Sequence, residues 1–258
     1  MSLGPSQVEA EVDVSPFDLD PVGQANAAAL CLHGLTGTPY EVRPIAEELV
    51  ARGIRARGIW MAGHNGTVQD LAATSQEEWV GLAKQELDRL RADHAKVFLV
   101  GVSMGGLVSL RLAETEPVDG LVVVGTPLVL APPVPQLLPL LRLFQSERPK
   151  QGAGIEEPEA RLRHPRFPAM PLASVSQLIQ LQARVLAELR RVEAPILVAH
   201  GRLDQTARPR DAKRIIAEVA TPEVDRELLL LQRSGHVATV DYDGRMLARA
   251  AGDFLARR

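Results

Sequence analysis

Serine, aspartate and histidine occur in this chain at places where one proton could be passed among them. Ser103 lies in Gly101-Val102-Ser103-Met104-Gly105, directly after the apolar run Val97–Val100 and directly before the helical pattern Met104–Ala113. A strand, a tight turn and a helix in that order give the G-x-S-x-G spacing its meaning. The hydroxyl is lifted to the edge of a sheet, and a helix N-terminus points at developing negative charge. Side chains at Gly101 and Gly105 would collide with the neighbouring strand and helix. Outside that context, the same five residues reduce to a serine N-cap packed between glycines.

A serine hydroxyl is a weak nucleophile until a base accepts its proton. The base in turn needs an acid to fix its tautomer and stabilise its cation. Gly201-Arg202-Leu203-Asp204 follows the run Ile196–Ala199, and Ser234-Gly235-His236 follows Leu228–Leu231. The order Ser103, Asp204, His236 therefore sets each residue just past the carboxyl end of an expected parallel strand, the edge where open α/β sheets bind ligands. Acyl transfer also needs two backbone donors for a tetrahedral oxyanion. Leu32-His33-Gly34-Leu35-Thr36-Gly37 follows the first sheet strand, and its glycines let a loop turn back over the sheet edge with N–H groups facing inward. The amides of Leu35 and of Met104, the residue after the serine, form the natural pair. Losing one such donor costs roughly 3–4 kcal/mol of transition-state stabilisation.

The elements that must position these residues follow from periodicity. Short aliphatic runs at Ala27–Leu32, Ile54–Gly58, Val97–Val100, Leu121–Val124, Ile196–Ala199 and Leu228–Leu231 read as buried strands. Between them lie amphipathic patterns at Pro39–Ala51, Gln76–Asp93, Met104–Ala113 and Ser174–Arg191, another opening at Pro209, and a last one at Gly244–Leu255. Strand and helix taking turns predicts an α/β fold, a mostly parallel central sheet with helices on both faces.

One segment breaks the alternation. Residues 127–171 hold ten of the nineteen prolines, mixed with the charges of Glu156, Glu157, Glu159, Arg161 and Arg163. The expected organisation is a core from 1–126, a small proline-rich cap insertion at 127–173, and the rest of the core at 174–258. Insertions at the carboxyl edge of such a sheet commonly form lids. Residues 120–141 are uncharged, but Pro127, Pro132, Pro133, Pro135 and Pro139 interrupt them, so they read as a strand and a broken excursion rather than a membrane span.

Composition removes other classes. The chain has 258 residues, 29 Lys+Arg against 32 Asp+Glu, and a net charge of −3, with no basic excess to neutralise phosphates; nine aromatic residues offer little for base stacking. No nucleic-acid partner is expected. Cys31 is the single cysteine, which excludes an intramolecular disulfide, and no H-E-x-x-H or G-x-G-x-x-G spacing points to a metal or a dinucleotide. No cofactor is expected. The N-terminal residues carry neither a basic nor an apolar targeting region, so a cytoplasmic location without stable membrane insertion is expected. Nothing in the residue pattern specifies an oligomeric state. His33 and His64 read as loop-bracing residues, His200 as a strand-end residue, and Cys31 as part of a buried strand. Asp225, Asp241 and Asp243 are rival acids, none following a strand as cleanly as Asp204.

Taken together, His33-Gly34-Leu35-Thr36-Gly37, Gly101–Gly105, Gly201–Asp204 and Gly235-His236 make nearly the whole chain resemble the α/β-hydrolase superfamily, in its carboxylesterase and monoacylglycerol-lipase-like branch. Gly63-His64-Asn65-Gly66-Thr67 is similar to that branch's Gly-His-Gly-Thr segment with an Asn inserted, and Gly58-Ile59-Trp60-Met61-Ala62 departs from its usual Pro-containing form. The resemblance implies Ser103 as nucleophile, His236 as general base and acid, Asp204 as the orienting acid, and Leu35 and Met104 at the oxyanion hole. Leu128, Leu130, Leu137, Leu138, Leu140, Leu141 and Phe144 would make the insertion an aliphatic cap suited to acyl chains, so an ester of a short- or medium-chain acid, monoacylglycerols included, is the expected substrate. By the resemblance, the insertion selects the acyl or alcohol group. Three rivals share the scaffold: a carbon–carbon bond hydrolase or perhydrolase with the same triad, a ligand-binding homologue without activity, and an interfacial lipase, for which a basic amphipathic face is wanting.

Overall fold

The runs Ala27–Leu32, Val97–Val100, Leu121–Val124 and Ile196–Ala199 form strands whose side chains are wanted on both faces of a sheet at once. Ile54–Gly58 instead alternates with half-buried arginines, and Leu228–Leu231, expected buried, lies at the sheet edge with only Leu231 buried. The computed structural model describes residues 12–150, 152, 154–165 and 167–258. In chain order the core elements begin with β1 (Phe17–Leu19), β2 (Ala27–Leu32), α1 (Arg43–Val50), β3 (Ile54–Gly58), α2 (Val68–Ala73), α3 (Gln76–Asp93), β4 (Lys96–Val102), α4 (Met104–Ala113) and β5 (Gly120–Val124). The stretch before the next core strand carries α5 (Val134–Leu141), β6 (Glu147–Pro149), α6 (Pro158–Arg163), β7 (Ala169–Pro171) and α7 (Leu172–Glu188). The chain returns through β8 (Ile196–Gly201), α8 (Pro209–Glu218), β9 (Arg226–Leu231) and α9 (Gly244–Ala256).

Seven strands form one sheet in the order β1-β3-β2-β4-β5-β8-β9, parallel throughout except for the antiparallel edge strand β1. The period-two parity of β2 shows how the core is divided. Ala28, Leu30 and Leu32 face a cluster containing Trp79 and Leu87 of α3, Leu107 of α4, Leu181 of α7 and Ile215 of α8. Ala29 and Cys31 face the opposite cluster, built with Ile45 and Leu49 of α1 and Leu247 and Phe254 of α9. Parallel pairing with helices on both faces makes strand ends, rather than strand faces, the accessible surface. Ser103, Asp204 and His236 all lie just past such ends.

The segment between β5 and β8 is more ordered than its prolines suggest. Pro133 and Pro135 fall at the N-terminal boundary and first turn of α5, where a missing N–H costs nothing. Strands β6 and β7 pair antiparallel, Glu147 opposite Pro171 and Pro149 opposite Ala169. Leu138, Leu172 and Val175 form a small cluster of their own, and Ile155 and Ala160 pack on Val237, next to His236. Asp241 ties this segment to the core, accepting the N–H groups of Glu156, Glu157 and Gly235 at 2.8 Å each.

Trp79 is fully buried in the larger cluster. Trp79→Ala is expected to destabilise the chain by about 3–5 kcal/mol, read as a lower denaturant midpoint.

Candidate active site

Ser103 sits at φ +53° and ψ −112°, in a region that a residue with a side chain adopts only when its surroundings hold it there. Its N–H donates to the carbonyl of Val124 on the neighbouring strand at 2.8 Å. A Cβ at Gly101 would overlap the Gly105 carbonyl at the start of α4, and one at Gly105 would overlap the Leu32 carbonyl at the end of β2. The two glycines therefore let helix and strand close on the serine from either side, as the spacing predicts.

His236 stands between the other two residues. Its Nδ1–H donates to Oδ2 of Asp204 at 2.8 Å, and its Nε2 accepts the Ser103 hydroxyl at 2.9 Å. Asp204 is buried, and its other oxygen accepts the N–H groups of Thr206 and Ala207 at 2.8 and 2.9 Å. Burial alone would raise this carboxyl. The adjoining imidazole of His236, with hydrogen bonds from His200, His236 and the Ala207 amide, outweighs burial and holds Asp204 below the usual carboxylate range. Of the rival acids, Asp241 serves the amides named above, Asp243 accepts from the Arg233 N–H and the Ser234 hydroxyl, and Asp225 pairs with Arg258.

The loop after β2 approaches the serine from the opposite side. A Cβ on Gly34 would lie 3.3 Å from that of Ser103. Met104 is the first residue of α4, and neither its N–H nor that of Leu35 donates to a partner among the described residues. The Leu35 peptide unit is held through the Gly34 carbonyl, which accepts the Gly37 N–H at 3.1 Å and His33 Nδ1–H at 2.9 Å. His33 and His64 both brace loops, as expected. Nε2 of His33 accepts the Met61 N–H at 3.1 Å, and Nε2 of His64 accepts the Thr36 N–H at 3.2 Å while its Nδ1–H donates to Ala62.

Two residues in contact with the site escaped the sequence reading. His200 lies with Nε2 3.0 Å from Oδ2 of Asp204, so the strand-end histidine supports the acid rather than merely ending a strand. Its place four residues before Asp204 carried that signal. Glu41 turns inward, accepting the Gly34 N–H at 2.9 Å and His164 Nε2–H at 3.1 Å. Nothing in the spacing distinguishes it from a solvated helix-face glutamate. Burial works against its ionisation, but the hydrogen bond from His164, the nearby imidazole of His33 and the Gly34 amide outweigh it and hold Glu41 at about 2.

A cavity of about 320 Å³ opens over Ser103 and His236, lined on its far side by Leu130, Val134, Met170, Val175 and Leu178. A second, of about 440 Å³, adjoins it and shares Val134, Lys150, Met170 and Val175. Among the described residues no helix is long and apolar enough to cross a membrane.

The family described as serine aminopeptidase, S33, matches residues 23–243. The chain belongs to that family. This S33 member is 30% identical over 233 residues to the thermostable monoacylglycerol lipase of Bacillus sp. (strain H-257), covering 88% of this chain and 90% of the relative. It is 26% identical to the carboxylesterase of Bacillus subtilis (strain 168), over 89% and 92% of the two chains. Among solved structures, that reported for the metagenome-derived lipolytic enzymes LipS and LipT aligns with a TM-score of 0.87 and 26% identity, over 95% of this chain and 98% of the other. The architecture of this S33 chain is that of the α/β-hydrolases.

Burial holds His64 at about 3, far below its ordinary 6.5. An unfolded chain therefore takes up a proton there that the folded chain refuses, and stability falls as pH drops from the ordinary value toward 3. Between pH 7 and 5 this one residue is expected to remove about 2 kcal/mol. His64→Gln should flatten the fall of the urea midpoint in that window, where Glu41 and Asp204 contribute almost nothing.

Proposed function

We propose that this chain is a cofactor-independent serine esterase acting on esters of short- to medium-chain acids, monoacylglycerols among them. The observation that carries the reading is His236 hydrogen-bonded at once to the Ser103 hydroxyl and the Asp204 carboxylate. The Ser103 hydroxyl attacks the ester carbonyl carbon while its proton passes to Nε2 of His236. Asp204 stabilises the imidazolium, and the amides of Leu35 and Met104 receive the oxyanion. The tetrahedral centre collapses, the alcohol leaves with the proton from His236, and an acyl-enzyme remains. Water then repeats the sequence, giving its proton to His236 and releasing the acid.

The substrate class has two supports. The relatives bear the names of a monoacylglycerol lipase and a carboxylesterase. The wall facing Ser103 and His236 is aliphatic and belongs largely to the segment between β5 and β8. Residues 127–173 act in this reading as a cap that selects the acyl chain. A cytoplasmic setting is part of the same proposal, consistent with one buried cysteine and no disulfide framework.

The test is hydrolysis of nitrophenyl esters from acetyl to dodecanoyl. Turnover is expected to rise with chain length to a limit and then fall. Ser103→Ala should lose at least about 10⁴-fold in kcat and all labelling by a fluorophosphonate. Labelling that survives in Ser103→Ala would refute the assignment, and a flat profile would remove the acyl-selecting role of the cap.

A further inference from the structure

Glu41 ends the 3-10 turn Pro39–Glu41, and its carboxylate fills the hollow of the Gly34–Gly37 turn. A Cβ at Gly37 would overlap the carboxylate, and one at Gly34 would stand 3.2 Å from Oε2. The room is thus made by two glycines and taken by a charge. Its partner, His164, follows α6 in the segment between β5 and β8, and the side chains of the pair are 4% and 0% exposed. A buried carboxylate–imidazole pair stabilises little compared with apolar residues of the same volume, whereas removing one member leaves a buried group without a partner. Such a pair fixes position better than it adds stability.

What it fixes can be read peptide by peptide. The His33–Gly34 unit, which precedes the one bearing the Leu35 N–H, is tied by the Gly34 N–H to Glu41 Oε2. The unit after Leu35 is tied by the Thr36 hydroxyl, which donates to the Leu35 carbonyl at 2.6 Å. Thr36 itself stands at φ +60°, a conformation that a β-branched residue keeps only under constraint. His64 supplies part of that constraint by accepting the Thr36 N–H, and the segment between β5 and β8 supplies the rest. Lys150 Nζ donates to Thr36 Oγ1 at 2.7 Å, and the Phe167 N–H donates to the Thr36 carbonyl at 3.3 Å. The Leu35 amide is therefore flanked on both sides by units that the same segment grips.

We propose that Glu41 and His164 are a positioning pair that aligns the Leu35 N–H by seating the segment between β5 and β8 on its loop. The proposal rests on the reading of Leu35 as an oxyanion donor. It makes the covering segment part of the machinery for stabilising charge, in addition to a wall for the acyl chain. Glu41 borders the cavity over Ser103, but its side chain is only 4% exposed and its oxygens are taken by the Gly34 N–H and His164, so both residues act through the Gly34–Thr36 backbone.

The test compares two inhibitors of one shape. A trifluoromethyl ketone is attacked at its carbonyl carbon by Ser103 Oγ, the serine proton passing to His236, and the adduct carries an oxyanion. The matching ether carries none. In Glu41→Ala and in His164→Leu, the inhibition constant of the ketone is expected to rise about 10- to 100-fold, with kcat falling in parallel, below the loss from deleting a donor outright. Ether binding and KM should stay within about twofold. Glu41→Gln should recover most of the loss, its amide oxygen still accepting the Gly34 N–H while His164 changes tautomer. If Glu41→Ala fails to fold, His164→Leu and Glu41→Gln carry the comparison. Ketone and ether affinities that shift together, or no shift in either, would overturn the proposal. A wild-type protein that cleaves no ester and binds no ketone would instead overturn the esterase reading, and this inference with it.

Discussion

The site depends on a strained turn being held rigid. Ser103 occupies a backbone conformation that costs of order 1–3 kcal/mol, and only a neighbourhood with no freedom to relax keeps it there. That neighbourhood is the centre of the sheet. Strand β4 is paired on both sides, by β2 and β5, and the Ser103 N–H is spent on β5. Glycines at 101 and 105 bring α4 and the end of β2 into contact distances that no other residue permits. The hydroxyl is thereby presented to His236 by the most deeply supported part of the molecule.

Around that point, polar groups are buried in separate electrostatic settings. His33 and His64 lie where burial keeps them neutral, each using one nitrogen as donor and the other as acceptor. Asp204 and Glu41 are buried too, yet histidines and backbone amides hold both as carboxylates. The two carboxylates lie on opposite sides of Ser103. One reaches it through an imidazole, the other through a loop backbone. Cys31, although nucleophilic in principle, is pushed up to about 12 by burial and stays inert within β2.

Much of this arrangement can be read in the residues. Strand runs, helix periodicity and the order Ser103, Asp204, His236 are local signals, and local signals suffice when a sheet edge gathers the residues that follow each strand. Asp204 stands out from Asp241 and Asp243 because only it follows a strand directly. Contacts between distant segments are another matter. His164 sits in a proline-rich stretch with no periodicity, and Glu41 on a turn whose pattern looks solvated; their meeting is decided by how the stretch between β5 and β8 folds back. The short antiparallel pair β6 and β7 was hidden for the same reason. Three-residue strands ending in proline carry almost no pattern of their own.

The anchoring of that stretch is uneven, and the unevenness has a directional consequence. Asp241 clasps the amides of Glu156 and Glu157 together with that of Gly235, one residue before the imidazole. The part of the segment around α6 is thus tied to the loop that carries His236. Among the described residues no carboxylate gathers backbone amides of helix α5 in this way, and Leu137, Leu140, Leu143 and Phe144 in and after it turn toward solvent. The apolar surface of this stretch is therefore gathered on its α5 flank, and its polar attachment to the His236 loop on the α6 flank.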